Sequence, residues 1–111
     1  MQDFYRNLED LDWVETSHIG VRKKVFFKSK SFESNITQLA YSELSQGIEV
    51  PFHFHETMEE IFFVIDGQCQ FNIQGKLIIA KKNSTIKIPV NKKHSLLAIT
   101  NCKFFYFGVS I

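Results

Sequence analysis

Residues 51–67 read PFHFHETMEEIFFVIDG, placing two of the chain's four histidines, His53 and His55, inside an apolar run. On an extended strand residues i and i+2 share a face and each residue advances about 3.3 Å, so the two imidazoles project side by side, roughly 6.6 Å apart at the backbone. Phe52 and Phe54 then take the opposite face. Imidazole nitrogens bind divalent metals at about 2.0–2.1 Å, and two rings can converge across that gap. Glu60, on the next extended stretch, can bring a carboxylate to the same point. His94, the one histidine further along the chain, can bring a third imidazole.

Three imidazoles and a carboxylate leave one or two open positions on a five- or six-coordinate ion. Such a nitrogen and oxygen set suits Fe(II), Mn(II), Ni(II), Co(II), Cu(II) or Zn(II), and without a thiolate none is strongly favoured. An open position holds water or a chelating substrate, and the ion then acts as a Lewis acid or lowers the pKa of bound water. Glu60 is also the candidate general base.

These side chains need strands to hold them. GVRKKVFF (20–27), NITQLAYSEL (35–44) and EVPFHFH (49–55) alternate or carry β-formers, and EEIFFVI (59–65) runs into Asp66-Gly67, a two-residue hairpin signal. QCQFNI (68–73), KLIIA (76–80), STIKIP (84–89), HSLLAI (94–99) and CKFFYFGVSI (102–111) complete the series, with Gln74-Gly75 between the first two. The spacing of Phe4, Leu8 and Leu11 permits a short N-terminal helix. Strands every 8–12 residues with turn signals between them indicate an antiparallel sandwich or barrel. The division expected is an N-terminal arm over 1–19 and one β-barrel domain over 20–111.

Composition bounds the function. The 111 residues suffice for one domain with one core. The net charge of +1 disfavours nucleic-acid binding, and the basic cluster Arg22, Lys23, Lys24, Lys28 and Lys30 lacks interleaved aromatics. No apolar run reaches the roughly 18–20 residues of a membrane helix. Cys69 and Cys102 form no CxxC and read as reduced core thiols. The N-terminal stretch lacks the basic-then-apolar order of a signal peptide, so a soluble cytoplasmic protein is expected. All 12 acidic residues lie at or before Asp66, whereas seven lysines and no acid follow Gly67. A general base other than Glu60 or a metal-bound hydroxide must therefore come from the first half, where Glu43, Glu49, Glu56 and Glu59 are available.

The same residues carry a family resemblance. Gly47, five residues, His53-x-His55, four residues, Glu60, six residues and Gly67 resemble the first motif of the cupin superfamily without a gap. The stretch NSTIKIPVNKKHSLLA resembles the second motif through Pro89 and His94. Asn83 and Asn91 stand there in place of the usual glycines, and Ala98 in place of the usual Asn. Asn tolerates positive φ better than other non-glycine residues, so both turns can survive. The likeness covers roughly residues 20–110, and the chain resembles the small single-domain bacterial cupins. It implies an all-β, antiparallel jelly-roll barrel, commonly dimeric, with one divalent metal inside held by His53, His55, Glu60 and His94.

The function implied is an enzyme acting on a small polar or anionic molecule, such as a sugar acid or keto acid, by isomerisation, lyase or dioxygenase chemistry. The alternatives are a non-catalytic module binding a metal or small ligand, and a structural barrel with a vestigial site. Cupins that open unsaturated uronates share the GVRKK-like first strand. They carry Gln at the position of Glu60 and an Asp on the last strand, which FFYFGVS lacks, so that activity is disfavoured. Candidate ligand contacts are Gln38, Tyr41, Phe62 and Tyr106 on strands, with Lys92 and Lys93 before His94 as cations for an anionic substrate. His18, ahead of the first clear strand, reads as a loop or surface residue. The Phe-rich runs IFFVI and KFFYF are apolar on both faces, and a second subunit is the expected cover, making a homodimer.

Overall fold

Alternation of apolar and polar residues along short segments is realised as strands throughout the chain. The computed structural model describes residues 4–111. In chain order the strands are β1 (Val14–Glu15), β2 (Arg22–Lys28), β3 (Ile36–Leu44), β4 (Glu49–His53), β5 (Met58–Asp66), β6 (Gln68–Ile73), β7 (Lys76–Lys81), β8 (Thr85–Ile88), β9 (His94–Ala98) and β10 (Cys102–Ser110). One antiparallel sheet has six strands in the order β1-β2-β3-β10-β5-β8, and a second has four in the order β4-β9-β6-β7. Together they make an all-β jelly roll, more an open sandwich than a closed barrel.

The inward faces are the ones the period-two pattern selects. Glu60, Phe62 and Val64 of β5, Cys69 and Phe71 of β6, Ile86 and Ile88 of β8, Leu96 and Ala98 of β9 and Phe104 of β10 are all buried. The apolar members form one continuous cluster between the sheets. Among the described residues no helix is long and apolar enough to cross a membrane.

Turn chemistry follows the sequence with one exception. Gln74 and Gly75 both take positive φ, +50° and +88°, and join β6 to β7 as a hairpin in which Ile73 pairs with Lys76. Asn83 and Asn91 also take positive φ, +71° and +62°, so asparagine does serve where glycine is usual in the second motif. Asp66-Gly67, by contrast, makes no hairpin. It is the corner at which the chain leaves the six-stranded sheet on β5 and joins the four-stranded sheet on β6. A Cβ at Gly67 would collide with the carbonyl oxygen of Asn101 and lie 2.8 Å from Cys102 Cα. The glycine is therefore needed for backbone crossing at a sheet-to-sheet corner.

The N-terminal residues form a single 3-10 turn over Leu8–Asp10, shorter than the helix the spacing permits. Asn7 Oδ1 accepts from Glu9 N at 2.9 Å to start it, and Leu11 is already extended. The chain then pairs β1 with β2, and Trp13 packs on Tyr41 with ring centroids 6.1 Å apart. Tyr41 continues into Phe105 and Phe26 on the outer face of the six-stranded sheet. The arm thus covers part of the outward aromatic surface, while Phe63 on the same sheet, and Phe52 and Phe54 at the end of β4, stay exposed.

Candidate metal centre

Both sheets contribute to one cluster of donors. His53 closes β4 and pairs across the ladder with His94, which opens β9, so the four-stranded sheet carries two imidazoles on neighbouring strands. His55 follows on the connection out of β4, and Glu60 projects inward from β5 in the facing sheet. Asn91 N donates to His55 O at 2.8 Å and ties the loop before His94 to the HxH segment. Ring centroids lie 4.2 Å apart for His53–His94, 5.1 Å for His53–His55 and 5.7 Å for His55–His94. One ligand atom from each of the four residues can be chosen so that all lie within 4.8 Å of one another. Donors bound to one ion at 2.0–2.2 Å sit about 3–4.4 Å apart, so the cluster is a few tenths of an ångström wider than a ligated one.

Hydrogen bonds set the tautomers. His53 Nδ1 lies 2.8 Å from Pro51 O, and His94 Nδ1 lies 2.9 Å from Lys92 O. A carbonyl only accepts, so in each neutral ring Nδ1 carries the proton and Nε2 presents a lone pair to the centre. His94 is wholly buried, and its Nε2 has no hydrogen-bond partner. That lone pair faces Glu60 Oε1 at 3.7 Å, with a buried carboxylate on the other side. Two acceptors aimed at each other in a buried space are repulsive unless a cation lies between them. The donor set fits a divalent ion for that reason.

His55 answers the carboxylate differently. Its Nε2 is 3.1 Å from Glu60 Oε1, and this hydrogen bond raises its pKa above the ordinary value against an opposing effect of burial. Burial dominates at His94 and lowers its pKa, a cost that its contacts with Lys92 O and Glu60 offset only in part. A metal binding at His55 Nε2 must take the place of the hydrogen that this nitrogen gives to Glu60.

The sequence profile of the cupin domain family matches residues 40–107, more than half of the chain and the span that holds all four donors. The chain is a cupin. Solved structures agree on the fold. A protein described as a predicted oxalate decarboxylase from Thermotoga maritima superposes with a TM-score of 0.85 at 18% identity, over 93% of this chain and 96% of that one. An RmlC-like cupin from Shewanella frigidimarina gives 0.82 at 13% identity, over 99% and 93%. KdgF from Halomonas gives 0.77 at 15% identity, over 95% and 94%. No curated protein matches the sequence significantly.

In this cupin His53, His55 and Glu60 open onto a cavity of about 380 Å³ between the sheets, at the lower end of the range for small-ligand pockets, while His94 is wholly buried and not part of its wall. Phe62, Phe104, Leu96, Val50 and Val21 supply apolar wall. Tyr106 stacks on Phe62 at 5.4 Å, and burial raises its pKa. Of the residues singled out in the sequence, Gln38, Phe62 and Tyr106 line this cavity together with His53, His55 and Glu60. Tyr41 does not. It sits one residue out of phase with Ala40 and Ser42 on β3, faces the outer surface and donates to Glu43 Oε2 at 2.8 Å. Lys92 and Lys93 are exposed on the loop before β9 and are not part of the cavity wall, because it is the Lys92 carbonyl that turns toward His94.

Three titratable cavity groups were not among the candidate site residues of the sequence. His18, on the loop after β1, is half-buried at the mouth, with its ring 4.5 Å from that of His53. Nothing local in the sequence marks it, since its placement depends on Thr16 Oγ1 accepting from His18 N and donating to Val21 O at 2.7 Å. Glu15 lines the rim. Lys23 lies on the same side of β2 as buried Val21, and that parity was the available signal.

Proposed function

We propose that this cupin is a mononuclear divalent-metal enzyme acting on a small polar or anionic molecule by isomerisation, lyase or dioxygenase chemistry. The observation that carries the reading is the unpartnered, buried His94 Nε2 converging with His53, His55 and Glu60, three residues that line an accessible cavity. A bound ion would supply Lewis acidity and an acidified water in its open position. The chain's own residues do the rest. The Nδ1–H bonds to Pro51 O and Lys92 O hold two imidazoles in the ligating tautomer, and the Phe62, Phe104 and Leu96 wall excludes water from one side of the site. Glu60, hydrogen-bonded to His55, is the carboxylate placed to take a proton from a bound molecule.

A specific observation favours the non-catalytic alternative. Apart from Glu60 and the rim residue Glu15, no carboxylate lines the cavity among the described residues, so Glu60 must serve in both roles or turnover must rest on metal-bound hydroxide. Incubating metal-loaded protein with sugar acids, keto acids and catechols, in air and without oxygen, separates the readings. Turnover abolished by Glu60→Ala supports the enzyme, and binding without turnover supports the module. We also propose that the chain is a homodimer, because Phe52, Phe54 and Phe63 stay exposed after the arm has covered its share of the outer face.

A further inference from the structure

Two polar side chains inside the cavity are left unused by the metal-binding set. Lys23 of β2 and Gln38 of β3 both line it, and Lys23 Nζ donates to Gln38 Oε1 at 2.9 Å. A lysine ammonium only donates, so this contact settles the amide's orientation: the oxygen is taken by Lys23 and the NH2 group is left with two hydrogens to give. Among the described residues no acceptor meets that NH2, and no carboxylate lies within the 4.0 Å of an ion pair from Lys23 Nζ. Lys23 is half-buried, and burial lowers its pKa despite the favourable but more distant charge of Glu60. A half-buried ammonium whose one partner is a neutral amide lacks its counter-charge.

Strand register places this pair relative to the metal-binding head. Gln38 pairs with Gly108 and Gly108 with Glu60, so the three form one row across β3, β10 and β5. Two strand spacings, about 9.5 Å, separate the backbones of Gln38 and Glu60. The residue between them has no side chain, and Thr37 Oγ1 and Met58 Sδ lie where its Cβ would stand, so a ligand joining the two ends passes over these two groups within the cavity. The adjacent row, Ala40, Tyr106 and Phe62, supplies an aromatic wall beside it. A divalent ion at the head would outweigh the single charge of Glu60. Both ends of the cavity would then be cationic, with Glu15 at the rim the one other carboxylate among the described residues that line it.

Resting on the metal-centre reading above, we propose that Lys23 and Gln38 bind a carboxylate of the substrate remote from the group it presents to His53, His55, Glu60 and His94. The substrate is then a small acid with a chelating head at one end and a second carboxylate at the other. The distal carboxylate accepts from the Lys23 ammonium and the Gln38 NH2 side by side. This role, the one expected of Lys92 and Lys93 from the sequence, belongs to a lysine on a strand and inside the cavity.

Calorimetric titration of the zinc-loaded full chain tests this, zinc being redox-inert. The probes are 2-oxo acids in matched pairs: 2-oxoglutarate against 2-oxopentanoate, and 2-oxoadipate against 2-oxohexanoate, which differ only in a distal carboxylate or methyl. The diacid of at least one pair should bind at least about tenfold tighter, the worth of one charge-assisted hydrogen bond. Lys23→Met should bring that ratio to within about twofold without changing mono-acid affinity, and Lys23→Arg should retain most of it. Equal binding of both members in every pair, binding of none of the four, or a ratio that survives Lys23→Met would overturn the proposal. Zinc content measured on the same samples distinguishes these outcomes from failure of the metal centre itself, which would show as protein that takes up no stoichiometric ion.

Discussion

Replacing His94 by Leu should have very different consequences in the presence and absence of metal, and the size of each can be worked from the structure. In metal-free protein His94 is wholly buried with Nε2 unpartnered and facing a carboxylate at 3.7 Å. An unsatisfied buried polar atom costs about 1–3 kcal/mol, and the substitution relieves that cost. Against it stands the Nδ1 bond to Lys92 O, worth about 1 kcal/mol, and the freed carbonyl belongs to an exposed residue that water can reach. Leucine has a similar volume, so packing costs stay below about 1.5 kcal/mol. The balance is a variant between about 1.5 kcal/mol less and about 2 kcal/mol more stable than the parent. With metal at a thousandfold its dissociation constant, the parent gains about 4 kcal/mol by linkage, and a variant lacking a ligand loses most of it. The assay is urea unfolding of both proteins in chelator and in excess zinc, four curves in all. If His94→Leu destabilises the chelated protein by more than about 2 kcal/mol and zinc leaves the parent unmoved, His94 is an ordinary core residue and the reasoning fails.

Four further outcomes are expected. Gly67→Ala, where the new Cβ meets the Asn101 carbonyl oxygen at a positive φ, should cost about 3 kcal/mol or more. Gly47→Ala, also at positive φ but with open space around it, should cost about 1 kcal/mol by the same urea assay. In chelator, the raised pKa of His55 contributes stability below pH of about 6.5 that is lost as pH rises through its folded value. The lowered pKa of His94 acts in the reverse sense, destabilising the fold as pH falls below about 6.5. His55→Gln should therefore lose stability more steeply than the parent between pH of about 8 and about 6, and an unchanged slope would contradict the assignment. Sedimentation equilibrium should show a dimer that Phe63→Lys weakens, and a parent that stays monomeric at high concentration would rule the dimer out.

What could be read in the sequence was what depends on local pattern. Period-two alternation located the strands to within one or two residues at most ends, and the HxH spacing with Glu60 and His94 singled out the four donors that the fold gathers. Asparagine at positions 83 and 91 carried its own conformational signal, and both residues take positive φ. What depended on three-dimensional crossing was not legible. Asp66-Gly67 has the composition of a hairpin turn, yet its partner is the backbone of Asn101 and Cys102, some 35 residues on. The outward face of Tyr41 turns on strand phase, which a register shift between Val25 and Phe27 on neighbouring β2 makes hard to count from sequence. Lys23 lay in a run of basic residues where parity with Val21 was the one local signal, and pairing with Ser42 and reach to Gln38 are what turn it inward.

The central claim is that His53, His55, Glu60 and His94 hold one ion together. Elemental analysis of protein purified without added metal, followed by X-ray absorption on the bound ion, tests it most directly. The expected result is one divalent transition metal per chain with three imidazole nitrogens and one carboxylate oxygen at about 2.0–2.2 Å, lost in His53→Ala. Protein that neither carries nor takes up a stoichiometric ion, or an ion retained unchanged in His53→Ala, would contradict it.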